Sequence, residues 1–434
     1  MAASDSNTLH QIDQPRRRDL DKCVHCGLCL NSCPTYRVLG LEMDSPRGRI
    51  YQMVQVHEGA PISPSYLEHL DLCLACRGCE SACPSGVQYG RLIEDARAEI
   101  ERKIERPWLT RALRSFVFGK LLPSPTLLQF AARGLWAYRT LGLRTLASAL
   151  GIFKAFPKLA ELDQLSPEAE FPSFFSAYGK VFPAEGTRRH KVAMLGGCVA
   201  NVSFARLNEA TVRVLQKNGC EVHVPGNQTC CGALHQHAGI RTTARHLARK
   251  NIDALLTGGF DAILTNSAGC GSTLKEYGEL LEHEPPYANR AAEFAARVKD
   301  INEFLASIDL NTQMGPLDIT VTYQDSCHLA HGQKVRAAPR KLLRSVPGLQ
   351  FREMPMADLC CGSAGIYNVI QNEMSMQILE RKMDFANSAS TQVIATANTG
   401  CMIQLRAGVK RHGHGQRVAH VIEILDEAYR KSTR

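Results

Sequence analysis

One twelve-residue pattern occurs twice and constrains the fold more than anything else in the chain. Cys23-Val-His-Cys26-Gly-Leu-Cys29-Leu-Asn-Ser-Cys33-Pro34 and Cys73-Leu-Ala-Cys76-Arg-Gly-Cys79-Glu-Ser-Ala-Cys83-Pro84 both read C-x2-C-x2-C-x3-C-P. This is the spacing of two-cluster ferredoxins. Three close thiolates wrap one 4Fe–4S cluster, and the fourth cysteine of each run turns away to the other cluster. The pattern predicts one cluster on Cys23, Cys26, Cys29 and Cys83, and a second on Cys73, Cys76, Cys79 and Cys33. Structural zinc fits poorly, because zinc sites pair two C-x2-C units or add histidines. His25 lies inside the first run, but four thiolates already satisfy a cluster. It reads as a hydrogen-bond donor beside the site or as a surface residue. Between the runs, Asp44-Ser-Pro-Arg-Gly-Arg49 leads into a helical stretch from about Ile50. The block over residues 21–100 is therefore expected to be a helical ferredoxin rather than a small β-rich one.

The second half is a repeat. Cys198, Cys230-Cys231-Gly232 and Cys270 recur as Cys327, Cys360-Cys361-Gly362 and Cys401, at spacings of 129, 130 and 131 residues. A fixed period of this kind marks a duplicated structural unit. Short apolar runs precede the single cysteines: Lys191–Gly197, Asp261–Thr265, Ile319–Tyr323 and Gln392–Thr396. Bounded by Gly, Ser and Asn, they read as buried parallel strands, with helices such as 204–218 and 240–257 between them. The expectation is an α/β domain over 188–434, in two halves at about 190–305 and 318–434, with cysteines past the carboxyl ends of strands. These eight cysteines are either buried structural thiols or a further cluster or redox site. A vicinal pair repeated in register favours the second, and its glycine points to close backbone approach. Cys220 falls outside the repeat and reads as core. His235, His237, His328 and His331 lie near the cysteines, and each reads first as a packing or hydrogen-bonding residue.

Composition narrows the class. The 434 residues are 44% hydrophobic and 21% charged, which excludes a disordered chain or a rod. No apolar run near the N-terminus resembles a secretory signal, so the cytoplasm is the expected compartment and its thiols are reduced. Residues 1–20 are polar and expected to be frayed. Of 51 Lys and Arg, nine fall between Arg106 and Ala160 with no Asp or Glu among them, and the remainder balance the 42 acids. The basic excess thus belongs to one segment and not to a nucleic-acid-binding face. Both tryptophans, Trp108 and Trp136, lie there too. Residues 101–187 are expected to form a basic amphipathic arm, laid on an anionic membrane or packed on a partner or on the α/β domain. Neither G-x-G-x-x-G nor G-x4-G-K-[ST] occurs. A chain rich in electron-carrying thiols without a hydride acceptor reads as one part of a larger enzyme.

Cys-Val-His-Cys-Gly at 23–27, Cys-Pro-Thr-Tyr at 33–36, Pro-Arg-Gly-Arg-Ile-Tyr at 46–51, Cys-Pro-Ser-Gly at 83–86, Ser-Ala-Gly-Cys-Gly at 267–271 and Leu-Cys-Cys-Gly-Ser-Ala-Gly at 359–365 carry a further reading. With them, the chain resembles the iron–sulfur subunit of bacterial glycolate oxidase over nearly its full length. The resemblance implies two 4Fe–4S clusters here, FAD only on partner subunits that oxidise glycolate to glyoxylate, and the quinone pool as acceptor. The basic segment 106–160 is the expected contact if the protein sits on the cytoplasmic face of the inner membrane. Related subunits serve lactate and anaerobic glycerol-3-phosphate dehydrogenases. Heterodisulfide reductases share the Cys-Cys-Gly repeat, but there it carries another cysteine three residues before the last. Here Ser267 and Asn398 stand at those places, leaving four cysteines per copy. Three readings follow: an electron-transfer subunit without its own substrate site, a thiol–disulfide reductase at the Cys-Cys-Gly sites, or a docking scaffold. The first accounts for most of the sequence.

Overall fold

The computed structural model describes residues 13–156, 159–160, 163 and 166–432. The cysteine runs sit in a helical block without a strand among its described residues. Its helices Pro46–His57 and Pro64–Asp71 begin alike. Ser45 and Ser63 accept from the backbone N–H three residues on, and a proline stands at the first helical position. Both devices fix a helix start, the cap by satisfying an orphan donor and the proline by its preset φ. The helix Tyr89–Lys103 closes the block, and Leu20, Ile50, Met53, Leu70, Leu92 and Ile93 form its core. The expectation of a frayed N-terminus fails over residues 13–20. Asp13 is buried and Arg245 donates to both its oxygens at 2.8 and 2.5 Å, while Leu20 is part of the core. The polarity of this segment serves an ion pair, not solvent. Residues 1–12 lie outside the described residues.

The second half is α/β, in two copies. The first sheet contains β1 (Val181–Phe182), β2 (His190–Met194), β3 (Cys220–His223), β4 (Ala262–Thr265) and β5 (Val298–Asp300), in the order β1-β3-β2-β4-β5. The second contains β6 (Thr320–Tyr323), β7 (Gln350–Phe351), β8 (Val393–Thr396) and β9 (Arg417–His420), in the order β7-β6-β8-β9. All pairings are parallel except the β1 edge, and Val192 sits beside Val222 and Ala262 as Val321 sits beside Phe351 and Val393. Without β1 the two orders are identical: second strand, first, third, fourth. In such sheets sites form beyond the carboxyl ends, where the order reverses.

The halves are interlocked. The last helix of the second copy, Val421–Ser432, packs on Ala205–Lys217 of the first, and Ile301–Ser307 packs on Ala337–Arg344 in the reciprocal manner. Arg213 grips Asp426 through two bonds of 2.9 Å, and Asn218 donates to the Tyr429 hydroxyl at 3.1 Å. One apolar core runs from Val192 and Leu264 to Val321 and Leu425.

The arm lies on the first copy. Phe118, Leu122, Leu128 and Ala132 pack with Val202 beside Cys198. Its outer face is bare: the helix Trp108–Phe116 buries no residue, and Trp108 is 73% exposed. The nine basic residues are less unopposed than the sequence suggested. Arg106 and Arg114 pair with Glu101, Arg139 with Glu168 and Arg144 with Asp163, acids just outside the segment that folding brings back. No helix among the described residues is long and apolar enough to cross a membrane.

The shared core predicts joint unfolding of the two copies. Leu425→Ala, truncating a fully buried side chain, is expected to cost roughly 2–5 kcal/mol. Near-ultraviolet dichroism and hydrogen exchange in helices of both halves should then move together by one shift in urea. Separate transitions for the two halves would contradict it.

Candidate iron–sulfur and thiol centre

The two cysteine runs share an unusual backbone. His25 and Ala75 have φ of 52° and 50°, and Gly27 and Arg77 have 82° and 62°. The second cysteine of each run is thus flanked by left-handed residues at equivalent positions, three of them not glycine. Strain of this kind persists where the surroundings impose it, and alternating hands turn successive N–H groups toward one concavity that suits an anion. The sequence signal for it was weak, because only Gly27 advertises the conformation.

Cys33, Cys73, Cys76 and Cys79 line one cavity, the four thiols that the spacing assigned to a single cluster. They surround a space rather than a point. Among the described residues no three His, Cys, Asp or Glu groups converge to hold a single metal ion. The donors fit a multi-atom group. The Ala75 N–H and the Tyr89 hydroxyl donate to the Cys73 sulfur at 3.4 and 3.7 Å. Arg49 is fully buried beside it: Nη1 reaches Thr35 Oγ1 at 3.1 Å and the Cys33 sulfur at 4.0 Å, Nη2 reaches Asp44 Oδ1 at 3.0 Å, and Nε reaches His69 O at 2.6 Å. Burial pushes the Cys76 and Cys79 thiols well above their ordinary value. A bound iron–sulfur cluster would supply the positive charge that favours the thiolate form there. Cys23, Cys26, Cys29 and Cys83 lie outermost. Cys26 is exposed, Val24 and Leu28 beside it are 67% and 62% exposed, and burial lifts the Cys29 thiol to about 11. His25 is exposed and uses its carbonyl, which accepts from Arg47 at 2.9 Å.

The repeat cysteines gather in two sets. In the first, the sulfurs of Cys198 and Cys230 are 3.6 Å apart and those of Cys231 and Cys270 are 3.1 Å apart. Hydrogen bonding splits the first pair, holding Cys230 down and pushing Cys198 up. His235 bonds Phe118 O at 2.7 Å through Nε2, leaving Nδ1 on the Cys230 side. In the second set Cys327 meets Cys360 and Cys361 meets Cys401, all four buried. Gly232 and Gly362 adopt φ of 82° and 92°, and a side chain at Gly362 would lie 2.5 Å from Ser375 O. The positive φ at both glycines and this close approach at the second give the vicinal pairs their glycine. Cys220, on β3, is core, and burial pushes its thiol to about 12.

The two sets differ in surroundings. Cys327 and Cys360 share an apolar cluster with Leu74 and Cys76 of the second run, so this set faces the ferredoxin-type block. Buried Lys382 lies nearby, its ammonium pushed down to about 8 by burial and bonded to Met356 O and Ala357 O at 3.0 and 2.8 Å. The first set instead lies under the arm. Ser267 and Asn398 join the copies: Ser267 Oγ donates to Asn398 Oδ1 at 3.0 Å, and Asn398 Nδ2 donates to the Cys401 sulfur at 3.4 Å. The positions where heterodisulfide reductases carry extra thiols are bonded to each other here.

The block is wedged between the copies. Arg97 donates to Leu70 O and Cys73 O at 3.1 and 2.6 Å and to His237 O at 3.1 Å. His237 Nδ1 meets Glu94 Oε1 at 2.8 Å, and Gln236 donates to Glu94 Oε2 at 2.6 Å. Ser81 meets His331 at 2.8 Å, and Arg77 pairs with Glu276. His328, buried against His237, is pushed down to about 3 by burial.

Two predictions follow from these buried charges. Removing one partner of a buried ion pair strands the other, so Arg49→Met is expected to cost roughly 3–5 kcal/mol in anaerobic urea denaturation. Burial would raise the Glu94 carboxyl, but His237, Arg241 and Gln236 outweigh it and hold it down to about 2. Its contribution is therefore complete above the ordinary glutamate value near 4.3 and is lost as pH falls toward 2. Glu94→Gln should lower stability by on the order of 3 kcal/mol at pH 7, with the gap to wild type closing below about pH 4. A gap independent of pH would refute this.

Comparison with known proteins places this geometry among relatives. The 4Fe-4S dicluster domain family matches residues 19–87, and the cysteine-rich domain family matches 192–275 and 321–406. The glycolate oxidase iron-sulfur subunit linker region matches 109–166. The chain is 39% identical to the probable glycolate oxidase iron-sulfur subunit of Bacillus subtilis, over 94% of each chain. It is 34% identical to the glycolate oxidase iron-sulfur subunit of Escherichia coli, over 95% of each. Lactate utilization protein A of Oceanobacillus iheyensis is 30% identical over 54% of this chain and 96% of its own. A hypothetical protein from Helicobacter pylori shares the fold, with a TM-score of 0.52 at 8% identity, covering 98% of this chain and 75% of that one.

Proposed function

Because the chain belongs to the family of glycolate oxidase iron–sulfur subunits, we propose that it conducts electrons from a flavin on partner subunits, where glycolate becomes glyoxylate, toward quinone. The observation that carries this reading is the shared apolar cluster of Leu74, Cys76, Cys327 and Cys360, which puts a ferredoxin-type ligand set and a Cys-Cys-Gly set on one dry contact. When bound, a 4Fe–4S cluster supplies one-electron transfer at a potential tuned by its hydrogen bonds, charge and exposure. Cys23, Cys26, Cys29 and Cys83 hold the outer one, and Cys73, Cys76, Cys79 and Cys33 the inner one. Arg49 offsets the inner charge, and Tyr89 donates to its thiolate. The repeat cysteines hold further iron–sulfur or act as thiols. Exposed Cys26 with Val24 and Leu28 marks the face for the FAD-bearing partner. The close pairs Cys198–Cys230 and Cys231–Cys270 favour a second reading, dithiol chemistry at the first copy, which a reduced-dye assay with disulfide substrates decides.

The arm docks on an anionic membrane face in this reading. Trp108, Leu109, Leu113, Phe130 and Trp136 are exposed beside exposed Arg111, Lys120 and Arg133. Such a surface suits interfacial binding, at about 1 kcal/mol per basic residue.

Anaerobically purified protein is expected to hold at least eight irons per chain, and Cys76→Ser to lose about four. The isolated chain should oxidise no 2-hydroxy acid, while the flavin partners lose quinone-linked turnover without it. Oxidation of glycolate by the chain alone would sink the reading. Flotation with anionic liposomes at low salt tests the arm. Arg111→Gln with Arg133→Gln should weaken binding at least tenfold, and a protein that stays in the soluble fraction would rule out the membrane contact.

A further inference from the structure

One cavity lies where three redox elements meet. Cys73 and Leu74 of the second cysteine run form one wall, Leu234 and His237 after Cys230-Cys231-Gly232 a second, and Ala364, Ile366 and Tyr367 after Cys360-Cys361-Gly362 a third. Its volume is about 130 Å³, against the roughly 10–15 Å³ that holds one water. Its lining mixes apolar side chains with a few polar groups, as ligand sites do. Arg97 is spoken for by three backbone carbonyls. Arg114 is not: Nη2 bonds Glu101 and Ala238 O, but its buried Nε–H has no partner. Arg106 and Arg114, from the start of the arm, also line the cavity, and exposed Ile370 stands beside them. Arg106 and Arg114 thus bring the start of the arm to the cavity wall.

A second observation is independent. His237 holds Glu94 at 2.8 Å, and Glu94 lines a separate cavity with Arg77, Glu276, Glu279 and Glu282. Glu279 and Glu282 are 39% and 35% exposed at the side chain. Titratable groups thus run from solvent to the wall of the first cavity.

We propose that this cavity binds the ring of a quinone, with Arg114 and His237 as its polar contacts and the Glu94–His237 pair as its proton supply. The proposal rests on the electron-transfer reading above and names the site where electrons leave. Two electrons and two protons convert one quinone to one quinol. The electrons leave the 2-hydroxy acid as a pair at the partner flavin and reach the cavity singly at the Cys73–Leu74 wall. One proton passes from His237 to a ring oxygen and is replaced through Glu94. The other enters from solvent at the mouth. A lipid-borne quinone would arrive along the face that the arm presents.

The test uses the complex assembled with its flavin partners and decylubiquinone as probe. Leu234→Trp and Ile366→Trp fill the cavity and are expected to raise the KM for decylubiquinone, and its Kd by equilibrium dialysis, at least tenfold, with iron and sulfide per chain as in wild type. His237→Gln should lower kcat more than it raises KM. Should the tryptophan variants fail to assemble, an azidoquinone photolabel on the wild-type complex must fall within residues 97–114, 234–238 or 364–371. Unchanged affinity in the filled variants, or label elsewhere, overturns the site. Glycolate-driven bleaching of the iron–sulfur absorbance reports on the underlying reading separately. Bleaching with no quinone bound at this cavity refutes the inference alone, and no bleaching refutes the reading beneath it.

Discussion

Arg97 ties the redox centre together. Its guanidinium bonds the backbone of the second cysteine run at Leu70 and Cys73, and also the first copy of the repeat at His237. Leu70 O also accepts from the Cys73 N–H at 3.3 Å, and buried carbonyls at a joint between domains are costly without donors. A single planar donor group satisfies three of them. The cysteine run, the His237 turn and the cavity between them hold their places through this one side chain. Around it, Arg77–Glu276 and His237–Glu94 also join the helical block to the repeat, each through a side chain from either side.

The thiol centre also explains the arginines that the sequence displayed without a role. The helical stretch expected from about Ile50 already begins at Pro46. Yet Arg49 from that helix is buried to 1% and spans from Asp44 and Thr35 to the carbonyl of His69. A buried cation is expensive unless paired. Here it is paired with Asp44 and stands beside the thiols of Cys33 and Cys73. The arginine thus braces the segment between the cysteine runs and biases its electrostatics at once.

The duplication has a mechanical consequence. Each copy completes its core with a helix from the other, so the cysteine sets are carried by one body and not by two hinged ones. Their equivalence ends at the environment. One set faces the inner ligand set of the ferredoxin-type block, near buried Lys382; the other lies beneath Phe118 and Leu122 of the arm. Ser267 and Asn398, bonded across the joint, turn the places of two absent thiols into part of the seam.

Much of this was legible in the sequence, because cysteine spacing and short-range periodicity are local. The C-x2-C-x2-C-x3-C-P runs, the Cys-Cys-Gly repeat, and the strands before Cys198, Cys270, Cys327 and Cys401 declare themselves within a few residues. The strands β1, β3, β5, β7 and β9 did not, since two to four residues carry little period. Nor did Asp13, whose polar neighbours suggest a frayed end until Arg245 arrives from 232 positions away. Arg106, Arg114, Arg139 and Arg144 looked uncompensated for the same reason: their acids lie outside the window in which charge was read. Only the tertiary structure decided which cysteine set meets the ferredoxin-type block, where Arg49 and Arg97 point, and that a cavity opens among three separate segments. Those are properties of surfaces brought together by packing between distant elements, and no stretch of sequence contains both sides of such a joint.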